Sequence, residues 1–346
     1  MKSIKDIALK ANVSIGTVDR VLHNRPGVSE KTKKKVLKII EDYNYTVNPV
    51  ASILASKKTY TIATLLPENI NSDEFWESPK QGIANAMEEI KNLGFLIKNF
   101  HFNQFSSKTY IDAFHKMVNS KPSAVLIAPI FNKETKELIG LLENENIPYV
   151  FINTETEGLN NLSFIGQDSF KSGLLAGKLM NWVLPKKAEI LIIEIRKDIS
   201  NYTSINKRIN GFKDFFKTSK KSITIHNLHF EHIENSETLK NQLSNYLSEH
   251  THIKGIFVPS SKVSAVAKIV ESLDRKDIEI GGFDTTDKNI KYLKNGTVDF
   301  LISQKPIQQG YDGIKLLFNY LTHQIKPEKY YFSPIEIVLK ENVDFL

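Results

Sequence analysis

The sequence predicts an α/β protein in two parts: a small all-helical module, then a larger two-lobed region built on two parallel sheets. Three observations predict it. Three short helical periods crowd into residues 3–44, with turn residues between them. From residue 61 onward, apolar runs of strand length alternate with amphipathic stretches of helix length, the pattern of strand–helix–strand units. The charge, finally, is uneven. Of the 46 Lys and Arg and 39 Asp and Glu, 12 and 5 fall within residues 1–60, which leaves 34 of each in the rest. A surplus confined to the first sixth of the chain suits a phosphate-binding module, whereas charge kept for solubility is spread.

With 41% apolar residues over 346 positions, the chain can bury a large core and still carry an appended module. The absence of cysteine excludes disulfides, thiol nucleophiles and thiolate metal sites. Lys2, Lys5, Asp6 and Lys10 interrupt the first residues at helical spacing, and no apolar run is long enough to span a bilayer. The expectation is a cytoplasmic chain with no membrane partner.

In the first module, Ser3 is placed to cap a helix, with Asp6 three residues on and Ile4, Ile7 and Ala8 on one face. A tight turn at 11–13 follows. Ser14 then caps a second helix whose Val18, Val21 and Leu22 point inward. A loop at 24–27 carries Pro26 and Gly27, both strong breakers. Ser29 caps a third helix with Val36, Ile39 and Ile40 as its stripe. Helix, tight turn, helix and a bracing third helix make a helix-turn-helix arrangement.

The run Ile4-Lys5-Asp6-Ile7-Ala8, then Ala11-Asn12-Val13-Ser14, then Thr17-Val18-Asp19-Arg20-Val21-Leu22 closely resembles the N-terminal signature of the LacI family of transcription regulators. Val28-Ser29-Glu30-Lys31-Thr32 and Tyr43-Asn44-Tyr45 continue the match. The resemblance implies that the second helix lies in the DNA major groove and that Ser14, Ile15, Gly16, Thr17, Asp19, Arg20, Asn24 and Val28 contact operator DNA. Arg20 can present two donors to guanine, while Ile15 and Gly16 offer apolar contact and close approach. Asp19 departs from the commoner small residue; it either orients Arg20 or accepts from a cytosine amine. Residues 48–55 form a short hinge helix with Asn48 as cap and Pro49 at its first position. Two turns are unstable alone, so the resemblance implies pairing with a partner's identical helix in the minor groove, with Leu54 wedged between base steps.

Beyond the hinge, strand candidates fall at 62–66, 95–100, 124–128, 149–153, 189–195, 223–230, 255–258, 278–281 and 298–302, with 163–166 also strand-like. Helical stretches fall at 78–93, 107–120, 133–144, 169–183, 205–218, 235–249, 261–272 and 306–321. So many strands are better divided between two sheets than held in one. The domain reading is therefore a helix-turn-helix domain at 1–46, a hinge at 47–58 and an effector-binding, dimerising domain at 59–346. Its first lobe takes about 59–180 and 303–324, its second about 181–302 and 325–346.

Ligands bind such lobes at the carboxyl ends of strands, in the crevice between them. Phe75 and Trp76 follow the first strand, where aromatic faces can stack on sugar rings. Asp168, Arg208, Asp284 and Gln304 end strands or open helices, and together they can satisfy vicinal hydroxyls. For Asp168 and Asp284, capping the next helix is the structural alternative. Residues 60–320 resemble the periplasmic-binding-protein-like core of LacI regulators and sugar-binding proteins, through Gly166-Gln167-Asp168 with Gly173, Arg208 with Gly211-Phe212, Gly282-Phe283-Asp284 and Ser303-Gln304. Where the family often has an Asn-Asp pair after its strand, this chain has Ser260-Ser261, which makes an atypical sugar or a non-sugar effector the alternative.

The expected function is a sequence-specific, DNA-binding regulator, a repressor by the commoner family behaviour, with a carbohydrate effector. The alternative is a sugar-binding protein with no regulatory role. Expected partners are palindromic double-stranded operator DNA, the effector and a second copy, with a tetramer as the alternative to a homodimer. No phosphate-loop, zinc-protease, nucleophile-elbow or dinucleotide fingerprint occurs, so no enzyme activity and no cofactor are expected. His226, His229 and His232 recur every third residue across a strand end and loop; they read as surface, and no metal is expected.

Overall fold

Where apolar side chains recur with helical period, the chain coils; where they run continuously, it extends and is covered on both faces. The computed structural model describes residues 3–22, 25–43, 45, 59–68, 74–195, 202–230 and 236–346. The hinge at 47–58, with Leu54, and Asn24 therefore lie outside the described residues, as does His232. The chain divides into two units, residues 1–58 and 59–346.

In the first unit, α1 (Ile4–Ala11), α2 (Ile15–Leu22) and α3 (Glu30–Asp42) enclose Ile7, Ala8, Ala11, Val18, Val21, Val36 and Ile39. The caps are those the residue types favour. Ser3 and Asp6 form a reciprocal capping box on α1, and Ser29 accepts from the Thr32 amide at the start of α3. Asn12 ends α1 in a left-handed conformation (φ 56°) and turns the chain sharply into α2.

The second unit holds two six-stranded sheets. The first runs β11-β5-β4-β3-β1-β2, from β1 (Tyr60–Pro67), β2 (Phe95–Phe102), β3 (Ala124–Ile127), β4 (Tyr149–Ile152), β5 (Ser163–Gly166) and β11 (Tyr330–Phe332), all parallel. The second runs β12-β10-β9-β8-β6-β7, from β6 (Lys187–Ile195), β7 (Ser222–Phe230), β8 (Ile253–Val258), β9 (Glu279–Phe283), β10 (Phe300–Ser303) and β12 (Glu336–Val338). Only β12, paired with β10, runs antiparallel there. The central strands are buried almost throughout, which is why they read as apolar runs.

Helices cover the faces: α4 (Glu77–Ile90), α5 (Ser107–Asn119), α6 (Asn132–Leu138), α7 (Gly140–Asn144), α8 (Ser169–Val183), α9 (Thr203–Lys217), α10 (Ser236–Glu249), α11 (Val263–Ser272), α12 (Asp287–Lys294) and α13 (Pro306–His323). Two boundaries differ from the sequence reading. The helix at 169–183 packs against α9 and the second sheet, so the chain changes lobe near 167–168, not near 180. Residues 330–332 return to the first sheet, so the C-terminal segment from 325 does not belong wholly to the second lobe. Among the described residues, no helix is long and apolar enough to cross a membrane.

Candidate functional site

Two sites follow from this framework, one in each unit. In the first, Ser14 accepts from the Thr17 amide (3.1 Å) and its hydroxyl bonds that of Thr17 (2.9 Å), which holds the first turn of α2. With Val18 and Val21 buried, α2 presents Ile15, Gly16 and Arg20 outward. A Cβ built on Gly16 would meet nothing closer than Ser14 Oγ at 3.7 Å, so a base edge or phosphate could approach the backbone there. The Asp19 carboxylate is paired with Arg25 at 3.1 Å, across the turn between α2 and α3. Val28 is half-buried and packs on the helical core. The basic residues Lys31, Lys33, Lys34, Lys35 and Lys38 are carried on α3.

The second site lies between the lobes, where the carboxyl ends of the central strands meet. Asp284 leaves β9 with a left-handed backbone (φ 72°), its amide bonded to Ile302 O at 2.9 Å. Asn153 leaves β4 in the same way (φ 65°). Gln304, just past β10, joins them: its Nε2 donates to Asp284 Oδ1 (2.6 Å) and its Oε1 accepts from Asn153 Nδ2 (3.1 Å). Arg208 is carried by α9, buried, and donates from Nη1 to Pro259 O (3.0 Å). Its guanidinium lies over the Phe283 ring, 4.0 Å from the centroid, so the cation is held by a π-face and a carbonyl. Phe75 and Trp76 sit in a 3-10 turn ahead of α4, both buried and packed edge to face at 5.1 Å.

The structure thus brings Phe75, Trp76, Arg208, Asp284 and Gln304 around one small cavity of about 40 Å³. Asp168 does not join them. Its carboxylate accepts from the Lys171 amide (3.0 Å) and caps α8, and it lines a separate cavity of about 350 Å³ with Glu155, Glu157 and Lys207. Asp284 is not the cap of the helix that follows it: Thr286 caps α12 by accepting from the Asn289 amide.

Three further polar residues shape the site, two of which the sequence reading missed. Asn153 is the first. Asn289, fully buried, is the second: its Oδ1 accepts from the Ser264 amide (2.8 Å), and its Nδ2 reaches the carbonyls of Ser261 (3.1 Å), Phe283 (3.1 Å) and Asp284 (2.8 Å). It ties the loops after β8 and β9 into one frame. Ser260 is the third. Its hydroxyl is buried in the cavity wall with no hydrogen-bond partner among the described residues, a polar group that a bound ligand could satisfy. A sequence signal existed for Ser260, as a departure from the family pattern; none marked Asn289, which sits inside a lysine-rich helical stretch.

Comparison with known proteins assigns both units. Residues 3–48 match the model of bacterial regulatory proteins of the lacI family, and residues 62–325 match a periplasmic binding protein domain. The chain belongs to the LacI family. The HTH-type transcriptional regulator MalR of Clostridium butyricum is 26% identical over 92% of this chain and 93% of that one. The ribose operon repressor of Lactococcus lactis is 24% identical over 99% of this chain and 98% of its own. A crystal structure from Bacteroides fragilis, described as a LacI transcriptional regulator, superposes with a TM-score of 0.77 at 27% identity, covering 84% of this chain and all of that one. This LacI-family chain is a DNA-binding transcriptional regulator whose larger domain has the periplasmic-binding-protein fold.

Proposed function

We propose that the chain is a cytoplasmic repressor that binds a palindromic operator as a homodimer and responds to a sugar or sugar derivative in the inter-lobe cleft, without catalysing a reaction. One observation carries this reading: the cleft gathers a carboxylate, a guanidinium, three amides and three aromatic rings at a single point. That mixture matches a polyhydroxylated ring, whose hydroxyls both donate and accept and whose faces are apolar. The repressor reading draws on the Lactococcus relative's role at a ribose operon. Dimerisation follows from the two-fold symmetry that palindromic operators share with the proteins that read them.

In this reading, Ser14, Ile15, Gly16, Thr17 and Arg20 meet the major groove, Asn24 and Leu54 add contacts from the loop and hinge, and Asp19 with Arg25 sets the register of the turn. Gel retardation on the chain's own upstream region, with and without candidate sugars, tests it. Affinity should fall steeply with salt, since it rests on the basic module. A candidate sugar should shift the retarded band. Arg20→Ala should lose about 1–3 kcal/mol of operator preference and leave effector binding intact. Equal loss on random DNA would restrict Arg20 to phosphate contact, and salt-independent binding would remove the regulator reading.

A further inference from the structure

We propose that the second lobe carries a transition-metal site formed by Glu189, His226 and His250, outside both the DNA module and the cleft. Glu189 lies near the start of β6, His226 midway along the neighbouring edge strand β7, and His250 follows the last turn of α10. The potential ligand atoms of the three residues all lie within 4.8 Å of one another. His226 Nε2 and Glu189 Oε2 are already 2.9 Å apart. Tyr246, one turn earlier on α10, stacks on the His250 ring at 4.3 Å and sets its plane, and the two imidazole centroids are 5.4 Å apart.

Around a tetrahedral ion with bonds near 2.0–2.1 Å, neighbouring donors stand about 3.3 Å apart. The three side chains therefore need move only about 1–1.5 Å to close on one ion. Two imidazole nitrogens and one carboxylate form the donor set of a borderline ion such as zinc, cobalt or nickel, not of calcium or magnesium. A structural hydrogen bond between His226 and Glu189 would need no second imidazole converging on the same point. The Glu189 and His226 side chains are only 27% and 25% exposed, which leaves one open side for a water ligand. The sequence alone misplaces this site, because the every-third-residue run 226, 229, 232 shares only its first member with the cluster. The other two ligands come from 37 residues before and 24 residues after His226.

The ion would tie the edge strand β7 to β6 and to the end of α10, toward the amino ends of the strands and away from the cleft. The test uses the full-length, untagged protein stripped with a chelator, then titrated with Zn²⁺ by calorimetry and with Co²⁺ by visible absorption. One ion per chain is expected, with a cobalt spectrum typical of four-coordinate nitrogen and oxygen ligation. His226→Gln and His250→Gln should each weaken binding about tenfold or more, with operator binding retained. Glu189→Gln, which keeps a hydrogen-bonding oxygen beside His226, should weaken the metal in the same way and serves if a histidine variant does not fold. Absence of saturable binding by either ion, or affinity unchanged in all three variants, overturns the proposal.

Discussion

At the scale of single residues, the cleft turns on Asp284. Its left-handed backbone is one that asparagine also tolerates, so Asp284→Asn removes the charge with little conformational cost. We expect the variant to melt close to the parent and to bind effector at least about tenfold more weakly, since a hydroxyl loses a charged partner in a desolvated site. Calorimetric titration beside a thermal melt checks both; unchanged affinity would put the ligand elsewhere. Asp299 supplies a pH test. Burial first, then the hydrogen bond that the protonated Asp299 donates to the Glu279 carboxylate, push its carboxyl up to about 8, against the partial compensation of the Ile280 amide (2.6 Å). An unfolded aspartate titrates near 3.9. The folded state therefore holds a proton that the unfolded chain gives up; this contribution is fully present below about pH 4 and is lost as pH rises through about 8. Asp299→Asn keeps both hydrogen bonds without titrating, so its melting temperature should fall less than the parent's between about pH 5 and 9. Parallel slopes would refute the shared proton. Asp284 and Gln304 were legible because polar side chains stand out at the ends of apolar strands, and Arg208 through its motif with Gly211 and Phe212. Asp168 stood out for the same reason, yet it serves as a helix cap, and a sequence cannot separate those roles.

At the scale of elements, the lobes share a construction. Gly82 and Gly310 let α4 and α13 cross closely in the first lobe, and Gly173 and Gly211 do the same for α8 and α9 in the second. A Cβ on Gly173 would stand 2.0 Å from Arg208 O, and one on Gly211 2.0 Å from Phe170 O, so backbone meets backbone. Gly173→Ala gains about 1 kcal/mol of helix propensity but forces α9 outward at a cost of about 1–3 kcal/mol. Because Arg208 rides on α9, the expected signature is a loss of effector affinity larger than the change in stability. Full affinity would show that the helix pair relaxes elsewhere. This crossing also explains the misplaced lobe boundary: residues 169–183 form the expected helix, but only the packing of Gly173 and Gly177 reveals which sheet it covers. The strand–helix rhythm was otherwise readable, since period and length are local. Strands β11 and β12, three residues each, were not; their pairing comes from distant partners, and β11 is exposed along its length. The short helix α12, rich in lysine, lacked a long apolar stripe.

At the scale of the whole effector domain, the two lobes are joined by polar bridges across the cleft. Gln304 bridges Asn153 and Asp284, Tyr202 donates to Gln104 O at 2.7 Å, and Lys207 reaches from α9 to Glu155 (3.4 Å) and Glu157 (2.5 Å). Gln167 holds the crossing strands together by donating to Ser303 O (2.7 Å) and Pro334 O (2.8 Å). A cavity of about 40 Å³ cannot admit a sugar, since ligand pockets run to about 300 Å³ and above. Effector binding therefore requires the lobes to part, and its rate carries the cost of breaking these bridges. Lys207 is the bridge that can be removed without touching the cavity wall. Its two ion pairs are part-exposed, so they contribute modestly, about 1 kcal/mol or less each. Lys207→Ala should raise the open population and speed effector association a few-fold, with a smaller change in dissociation. Added salt should speed the parent in the same direction and leave the variant almost unmoved, because screening acts on the pair the variant lacks. Stopped-flow tryptophan fluorescence, with the exposed Trp182 replaced by Phe, reads both arms. If association in the parent is already diffusion-limited, or if the variant binds no faster, then the bridged form does not gate the cleft and the lobes open by some route that does not break this pair.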